Sequence, residues 1–358
     1  MEKTNMKINA LPSPTYNWLK MNDAQVQAPK SPEEGNPMVT HRPEVKATAV
    51  AYDEIQDIAG GMGYDMDRLM KDSGIAVLKL SVAENTEVPE AVHLDFCFEN
   101  GKELLNAVEI HAAKGAKLTV LMDFASDSSA QGFGAVQTKI RVEENAVVRL
   151  IQVQRLGAGM RFLDDIGVVT AENGRFEQIQ LNVSGGSCYQ GSRTDLLGAR
   201  SSLKTDIGYL LRNQEQLDMN YIANHIGKKT VCEINVDGVL RNEARKLFRG
   251  TIDLRKGAKG AVGNELENVL LMNDDVVNQT IPVILCDEED VEGNHGATIG
   301  RIDESLLFYL ESRGLSHEEV YEMMAEAKLD AVINKIQDAA TRDYVRTLLN
   351  RKTAENED

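Results

Sequence analysis

Residues 217–260 read LDMNYIANHIGKKTVCEINVDGVLRNEARKLFRGTIDLRKGAKG. Three apolar, β-branched runs, LDMNYIAN, TVCEINVDGVL and FRGTIDL, are separated by short clusters containing Gly, Asn and Lys. Runs of this length and composition are typical of β-strands, and the clusters between them are typical of turns. The stretch therefore predicts strand after strand, with no helix in between.

The same pattern extends from about residue 76 to residue 300. Further runs of this kind are AVLKLSV, KLTVLMDF, AVVRLIQV, FEQIQLNV, LKTDIGYLL and VVNQTIPVIL. Turn signals recur every 28 to 30 residues or so, which is the size of one or two coils of a strand-rich solenoid. Amphipathic helices do not alternate with the strands, which disfavours a doubly wound α/β sheet. A β-helix is favoured, and a β-sandwich remains the alternative.

The N-terminal segment has a different composition. Six of the eight prolines fall within the first 43 residues, which predicts an irregular arm with one short helical turn. We expect the only tryptophan, Trp18, to anchor this arm on the body, with a role as a partner-binding anchor as the alternative. Residues 52–74 carry apolar residues at helical spacing around a Gly-Gly break, which predicts two short helices.

Helical signals begin at Asp303, which can cap a helix ending at Gly314. Ser316 and Glu319 form a capping box for a second helix, and a third follows. The predicted organisation is thus an arm with short helices over residues 1–75, a β-helix core over 76–300 and a C-terminal helical domain over 301–358.

The chain has 358 residues and a net charge of -17, which argues against nonspecific binding to nucleic acid or to an anionic membrane. No apolar stretch approaches the length of a membrane span, and no secretory leader is evident. The four cysteines form no C-x-x-C pair, so a disulfide framework is not expected. These features favour a reducing cytoplasm.

Common catalytic motifs are missing from the sequence. It contains no P-loop, no strand-linked G-x-G-x-x-G, no G-x-S-x-G and no H-E-x-x-H. A β-helix enzyme acting on carbohydrate could use the charged runs EARKLFRG and DLRKGAKG, but we interpret such runs as the solvated faces of strands.

Imidazole and thiolate groups are the donors that iron or zinc would select. His225 and Cys232 could share one solenoid face, and Cys286 and His295 lie farther along the chain. His295 lies within GNHGATIG, residues 293–300, whose glycines predict a turn that exposes the imidazole.

Residues 290–320, DVEGNHGATIGRIDESLLFYLESRGLSHEEV, closely resemble the C-terminal signature of the SufB/SufD family of iron-sulfur cluster assembly proteins. The matching positions are Asp290 and Val291, His295 to Thr298 with Gly300, and Leu307 to Leu310 with Ser312, Arg313 and Gly314. The resemblance is strong after residue 220 and looser before it. It is closest to SufD-like members, although many of these carry a cysteine at the position of Gly293.

This resemblance implies a right-handed parallel β-helix flanked by helical segments, and it removes the sandwich alternative. It also implies a non-catalytic subunit that pairs with a SufB-like paralogue through its last strands and leaves ATP hydrolysis to a SufC-like ATPase. The ATPase would dock on the C-terminal helices, where the matching residues are Leu307, Phe308, Tyr309, Leu310, Arg313 and Gly314.

An iron-sulfur cluster would be held only transiently, at the interface with the paralogue and not stably by this chain alone. The histidine that matches the interface ligand is His295. A stand-alone homodimeric scaffold is the alternative, and it would require Cys286, Cys232 or His225 as ligands.

Overall fold

The computed structural model describes residues 3–13, 15–55 and 58–355. The first seven strands are β1 (Lys3–Ile8), β2 (Ala24–Pro29), β3 (Glu33–Glu34), β4 (Met38–Val39), β5 (Val45–Val50), β6 (Val77–Val82) and β7 (Val92–Cys97). Longer strands follow: β8 (Glu103–Ala112), β9 (Lys117–Ala125), β10 (Gln131–Val142), β11 (Val147–Arg155), β12 (Gly159–Thr170), β13 (Arg175–Ser184) and β14 (Ser187–Leu196). The last seven are β15 (Ser202–Leu211), β16 (Gln216–His225), β17 (Val231–Leu240), β18 (Arg245–Leu254), β19 (Ala261–Leu271), β20 (Val277–Cys286) and β21 (Val291–Gly300). The helices are α1 (Tyr64–Ser73), α2 (Glu304–Ser312), α3 (His317–Ile333) and α4 (Ala339–Glu355).

Strands β6 to β21 alternate between two long parallel sheets. One runs in the order β20-β18-β16-β14-β12-β10-β8-β6-β5, and the other in the order β21-β19-β17-β15-β13-β11-β9-β7-β4. Val147 pairs with Lys117 on one side and with Arg175 on the other, so the spacing of the turn signals corresponds to one coil. The predicted parallel β-helix is confirmed, with about eight turns.

The space between the two sheets is filled mainly by aliphatic side chains, as the composition predicts. Its middle coils also hold a polar network that the apolar strand pattern does not predict. Asp164 is 1% exposed and accepts hydrogen bonds from Nε2 of Gln152 at 3.0 Å and of Gln180 at 2.9 Å. Burial raises the pKa of Asp164 to about 8. The glutamine amides of neighbouring coils form hydrogen bonds with Asp164 and with one another. Polar groups buried in a core need such partners to be stable there.

The N-terminal segment is more regular than the prolines predicted. The short helical turn is present at Asn17–Leu19, but β1 and β2 also pair as an antiparallel hairpin across the outer face of the ten-stranded sheet. The expectation that Trp18 anchors this arm is wrong, because its side chain is 99% exposed. Buried Leu11 and Met21 anchor the arm instead, by packing on Ile281.

Two short helices flank the Gly-Gly break as predicted, a 3-10 turn at Tyr52–Ile55 and then α1. Next to this break an ion pair that is buried at its Lys139 end holds α1 on the ten-stranded sheet. The Lys139 amine, fully buried, lies 3.0 Å from the Asp67 carboxylate, and backbone N–H of Met62 donates to Asp165 at 2.8 Å. Packing against the sheet therefore holds this segment in place.

Both predicted caps of the C-terminal helices are confirmed. The Asp303 side chain accepts from the backbone N–H of Ser305 at 3.0 Å, and Ser316 and Glu319 form the reciprocal capping box. Helices α3 and α4 pack on the nine-stranded sheet, where Val332 and Ile333 join a buried cluster with strand residues. Within the described residues, no helix is long and apolar enough to cross a lipid bilayer.

Candidate functional site

The last coil of the solenoid, β20 and β21, leaves an open end. Among the described strands β20 pairs only with β18 and β21 only with β19. Each end strand therefore presents one edge of backbone N–H and C=O groups, which is a template for pairing with another strand. The two sheets also leave the lumen between them uncovered, and we call this opening the mouth.

His295 lies on β21 and aligns with Glu265 of β19. Glu265 is 5% exposed and belongs to the inward-facing row of its strand, so His295 continues that row. The imidazole is nevertheless exposed, because none of the described strands forms a coil above the mouth. The predicted turn at residues 293–300 is wrong: parallel pairing with β19 supplies the backbone hydrogen bonds that make this glycine-rich stretch a strand.

Cys286 is the last residue of β20 and is also exposed. Its thiol donates to the carbonyl oxygen of Glu288 at 3.2 Å. Leu254 is its partner on β18, which places Cys286 in an inward-facing row at the other sheet's end. His295, predicted to be exposed, and Cys286, a secondary ligand candidate, therefore both border the mouth.

Cys286 and His295 are too far apart to share one metal ion. A Cβ at Gly293 would lie 3.2 Å from Cγ2 of Ile284, so these two positions face each other across the lumen. The strands run in opposite directions, and His295 and Cys286 are displaced to opposite sides of this contact. They are separated by about four residues along the strands, or roughly 13 Å. A shared ion would require both donors within about 2.3 Å of it.

The floor of the mouth is charged and buried. The amine of Lys246 forms an ion pair with Glu267, and Thr280 donates to Glu267 Oε2 at 2.6 Å. Lys246 and Glu267 are each 1% exposed, and burial lowers the pKa of Lys246. Burial raises the pKa of Glu265 to about 8, and the neighbouring Glu267 adds to the effect.

The interpretation of EARKLFRG as a solvated face is therefore wrong for two of its residues. Lys246 points into the lumen, and Arg249 is fully buried beneath the N-terminal hairpin, where its guanidinium pairs with Asp218. Strand alternation alone does not reveal this, because both faces of β18 are covered by other parts of the chain. Glu265 and Glu267 occupy alternate positions of a strand whose other inward-facing residues are apolar. This pattern in the sequence could have indicated the acidic floor.

His225 and Cys232 lie on facing sheets, at the end of β16 and on β17, and not on one face. Both are fully buried. His225 Nδ1 is 2.7 Å from Thr230 Oγ1, and Nε2 has no hydrogen-bond partner among the described residues. Burial raises the pKa of the Cys232 thiol to about 12, which favours the protonated form over the metal-binding thiolate.

The buried imidazole gives a pH-dependent prediction. Burial lowers the pKa of His225 from 6.5 to about 4. Between these values the unfolded chain binds a proton that the folded chain does not, so the free energy of unfolding falls as the pH falls. Between pH 7 and pH 4 this protonation should lower the free energy of unfolding by up to about 3 kcal/mol, and His225→Asn should remove that loss. Urea unfolding at a series of pH values measures it, and parallel curves for the two proteins would contradict the assignment.

No group of three or more His, Cys, Asp or Glu side chains within the described ranges is arranged to hold a metal ion. At the mouth, His295 offers a single nitrogen and Cys286 a single sulfur, each with open coordination space beyond the coil. Such a site can supply one ligand to a metal centre whose other ligands come from elsewhere.

A second exposed feature lies on α2. Phe308 is 73% and Tyr309 52% exposed, and the Arg313 guanidinium lies 5.3 Å from the centre of the Tyr309 ring. Leu307 and Leu310 are half-buried on the opposite side, in a cluster shared with α3 and the nine-stranded sheet. Gly314, with φ of +99°, ends this segment. We call Phe308, Tyr309 and Arg313 the α2 patch.

A family model for the SufBD core domain of the SUF system of iron-sulfur cluster assembly matches residues 97–328. The chain belongs to the SufBD family. The matched range covers the solenoid from the end of β7 to the middle of α3, so the open end and the α2 patch both lie within it.

Curated members of the SufBD family are similar over much of this chain. The iron-sulfur cluster assembly protein SufD of Bacillus subtilis is 24% identical over 277 residues, covering 76% of this chain and 63% of the relative. The SufD protein of Escherichia coli is 24% identical over 242 residues, covering 67% and 57%. A SufBD family protein of Staphylococcus epidermidis is 27% identical over 187 residues, covering 52% and 40%.

These similarities confirm a SufD-like member of the family. The chain matches less than two thirds of the length of each of these relatives.

Proposed function

We propose that this chain is a SufD-type subunit of an iron-sulfur cluster assembly scaffold. It pairs through its open end with a SufB-like paralogue, docks a SufC-like ATPase on the α2 patch and presents His295 to nascent clusters. The observation that carries the proposal is the position of His295: exposed, inward-facing and on a strand whose outer edge has no partner among the described strands.

The chemistry of the mouth supports a shared site. An iron-sulfur cluster is the cargo of such a scaffold, and one imidazole with no nearby thiolate cannot hold it alone. A partner coil added to β20 and β21 would bring further ligands to the lumen side, opposite His295. The transient character of the binding follows from this division of ligands between two chains.

The buried positions of Cys232 and His225 make the stand-alone homodimeric scaffold the weaker candidate. In that alternative Cys286, Cys232 or His225 would have to supply ligands, yet Cys232 favours its protonated thiol and His225 is enclosed by the core. Cys286 remains the exposed secondary ligand, at the far side of the mouth. The family assignment also favours assembly over the alternative of a carbohydrate-active β-helix enzyme.

Anaerobic co-expression with SufB-like and SufC-like partners tests the proposal. We expect a ternary complex in size-exclusion chromatography, and visible cluster absorption only when the SufB-like chain is present. Cluster absorption with the ATPase alone would overturn the SufD-type assignment in favour of the stand-alone scaffold. Lack of any complex, together with turnover of a polysaccharide, would favour the enzyme.

The α2 patch gives a separate prediction about the ATPase. Replacing both Phe308 and Tyr309 by serine should weaken ATPase binding by about tenfold or more, because exposed aromatic side chains often dominate interface energies. Surface changes of this kind alter the free energy of unfolding by only about 0.5 kcal/mol. Leu197→Ser, at a turn residue that is 49% exposed, is the matched control and should bind normally.

Isothermal titration with the isolated ATPase measures this effect, and unchanged affinity of the double variant would contradict the docking site. Point substitutions are preferable to truncation of the C-terminal helices. Truncation would uncover Leu121, Ile151 and Leu181 on the nine-stranded sheet, which α3 and α4 now bury.

A further inference from the structure

The N-terminal hairpin runs along the solenoid towards its open end. Near the base of the hairpin, Arg161 of β12 donates to the carbonyl oxygen of Gln27 at 3.4 Å. Farther along, Asn9 donates to the Asp218 carboxylate of β16 at 2.7 Å. Since β12, β14, β16, β18 and β20 are successive neighbours in the sheet, these contacts mark a path from the middle of the sheet to its edge.

The path continues to the last strand. Arg249 of β18 donates to the carbonyl oxygen of Met21 at 2.7 Å. Met21 and Leu11 then pack on Ile281, which lies on the edge strand β20 and is fully buried by them. The hairpin tip, residues 12–20 apart from residue 14, which lies outside the described residues, is therefore held beside the mouth.

The tip itself is apolar and uncovered. Trp18 is 99% and Leu19 62% exposed, whereas Met21, two residues beyond Leu19, is buried. The backbone N–H of Tyr16 donates to Asn22 Oδ1 at 2.8 Å, and Lys20 takes the left-handed conformation with φ of +53°. A large aromatic side chain presented on a held loop is typical of an interface anchor, because little conformational freedom is lost on binding.

The charge of the last coil indicates which kind of partner covers it. Residues 272–300 contain seven acidic residues and no Lys or Arg, and Arg301, which follows directly, pairs with Asp274. The acids lie in both turns of the coil, at Asp274 and Asp275 on one side and mostly within residues 287–290 on the other. The turn 287–290 has no Lys or Arg of its own, and the opposite turn keeps Asp275 beside the Arg301–Asp274 pair, so a second copy of this chain would place acidic turns against acidic turns.

The contact between the last two coils of this chain also indicates a basic partner. The acidic turn 287–290 rests on the turn 255–260, which carries Arg255, Lys256 and Lys259. Glu288 Oε2 accepts the backbone N–H of Gly257 at 2.9 Å, and this contact lowers the pKa of Glu288. A coil supplied by the partner would contact the opposite side of the acidic turn. Basic residues in that coil would form the same kind of contact as the turn 255–260 does.

We propose that Trp18 and Leu19 form part of the interface at the open end, and that this interface binds a paralogous solenoid with basic end turns and not a second copy of this chain. This inference rests on the proposed function, because it takes the open end as the pairing surface. It adds the hairpin tip as a second contact region outside the two sheets.

Trp18 is the only tryptophan in the chain, so it can report on the interface directly. The full chain would be labelled with 5-fluorotryptophan and titrated with the unlabelled SufB-like paralogue, while fluorine NMR follows the accessibility of the ring to a soluble paramagnetic quencher. We expect the quencher to lose its effect on the fluorine signal in the complex, because the partner covers the Trp18 ring. Trp18→Ala should weaken the complex by about tenfold to thirtyfold. Tyr64→Ala, at a 75% exposed aromatic residue on α1, is the control and should bind normally.

Three other results would overturn the inference in distinguishable ways. A complex in which Trp18 stays accessible would remove the tip from the interface and leave the proposed function intact. Protection of Trp18 in the isolated chain as its concentration rises, with dimerisation in size-exclusion chromatography, would identify a second copy as the occupant. Lack of any complex with the paralogue would overturn the inference together with the proposed function.

Discussion

Replacing Arg249 by alanine is expected to lower the free energy of unfolding by about 3–5 kcal/mol. The guanidinium is fully buried and binds the Asp218 carboxylate through two contacts, at 2.7 and 3.2 Å. Its removal leaves Asp218 charged and buried, with the Asn9 amide as a remaining hydrogen-bond donor. The change also removes the hydrogen bond to Met21, so the hairpin should detach from the sheet.

Urea unfolding measures the loss, and limited proteolysis within residues 9–24 measures the release of the hairpin. Arg200→Ala is the matched control, because Arg200 pairs with Glu172 on the surface with about half of each side chain exposed. Such exposed pairs contribute less than about 1 kcal/mol. Combining Arg249→Met with Asp218→Leu should recover part of the lost stability, since no unpaired charge remains. Equal effects of Arg249→Ala and Arg200→Ala would contradict the role of the buried pair.

Replacing His295 by alanine is expected to lower cluster formation in the ternary complex by roughly 10–100-fold. The imidazole faces the mouth and is exposed, so its loss should leave the fold and the complex intact. The residual signal would come from ligands supplied by the partner chain. Visible absorption and iron content per complex, measured after anaerobic purification, quantify the effect.

Asn294→Ala is the matched control on the same strand. Asn294 is equally exposed but points outward, where its amide donates to Asn264 Oδ1 at 3.0 Å. This variant should assemble clusters normally. Normal cluster formation by a correctly assembled His295→Ala complex would remove His295 from the site, and a comparable loss in the two variants would point to strand β21 itself and not to the imidazole.

The candidate site was predictable from the sequence in part. The stretch containing His295 was identified through its family resemblance, but its glycines suggested a turn where the structure has a strand. Glycine has little intrinsic preference for strands, and only pairing with a neighbouring coil stabilises it there. The roles of Lys246 and Arg249 were likewise hidden, because whether a charged residue on a strand is solvated depends on what covers the strand.

The sequence by itself determined the repeating strands, the regular recurrence of turns, the capped C-terminal helices and a short helical turn in the N-terminal arm. These features depend on local alternation, turn residues and caps, which act between residues close in the chain. The strand pairing decided that the recurrence of turns is one coil. The tertiary structure alone decided that His295 faces an open lumen, that Cys232 and His225 are enclosed, and that Trp18 stands exposed beside the last coil. Those outcomes depend on contacts between residues far apart in sequence, such as Arg249 with Met21, and on the absence of a next coil above β20 and β21 within the described chain.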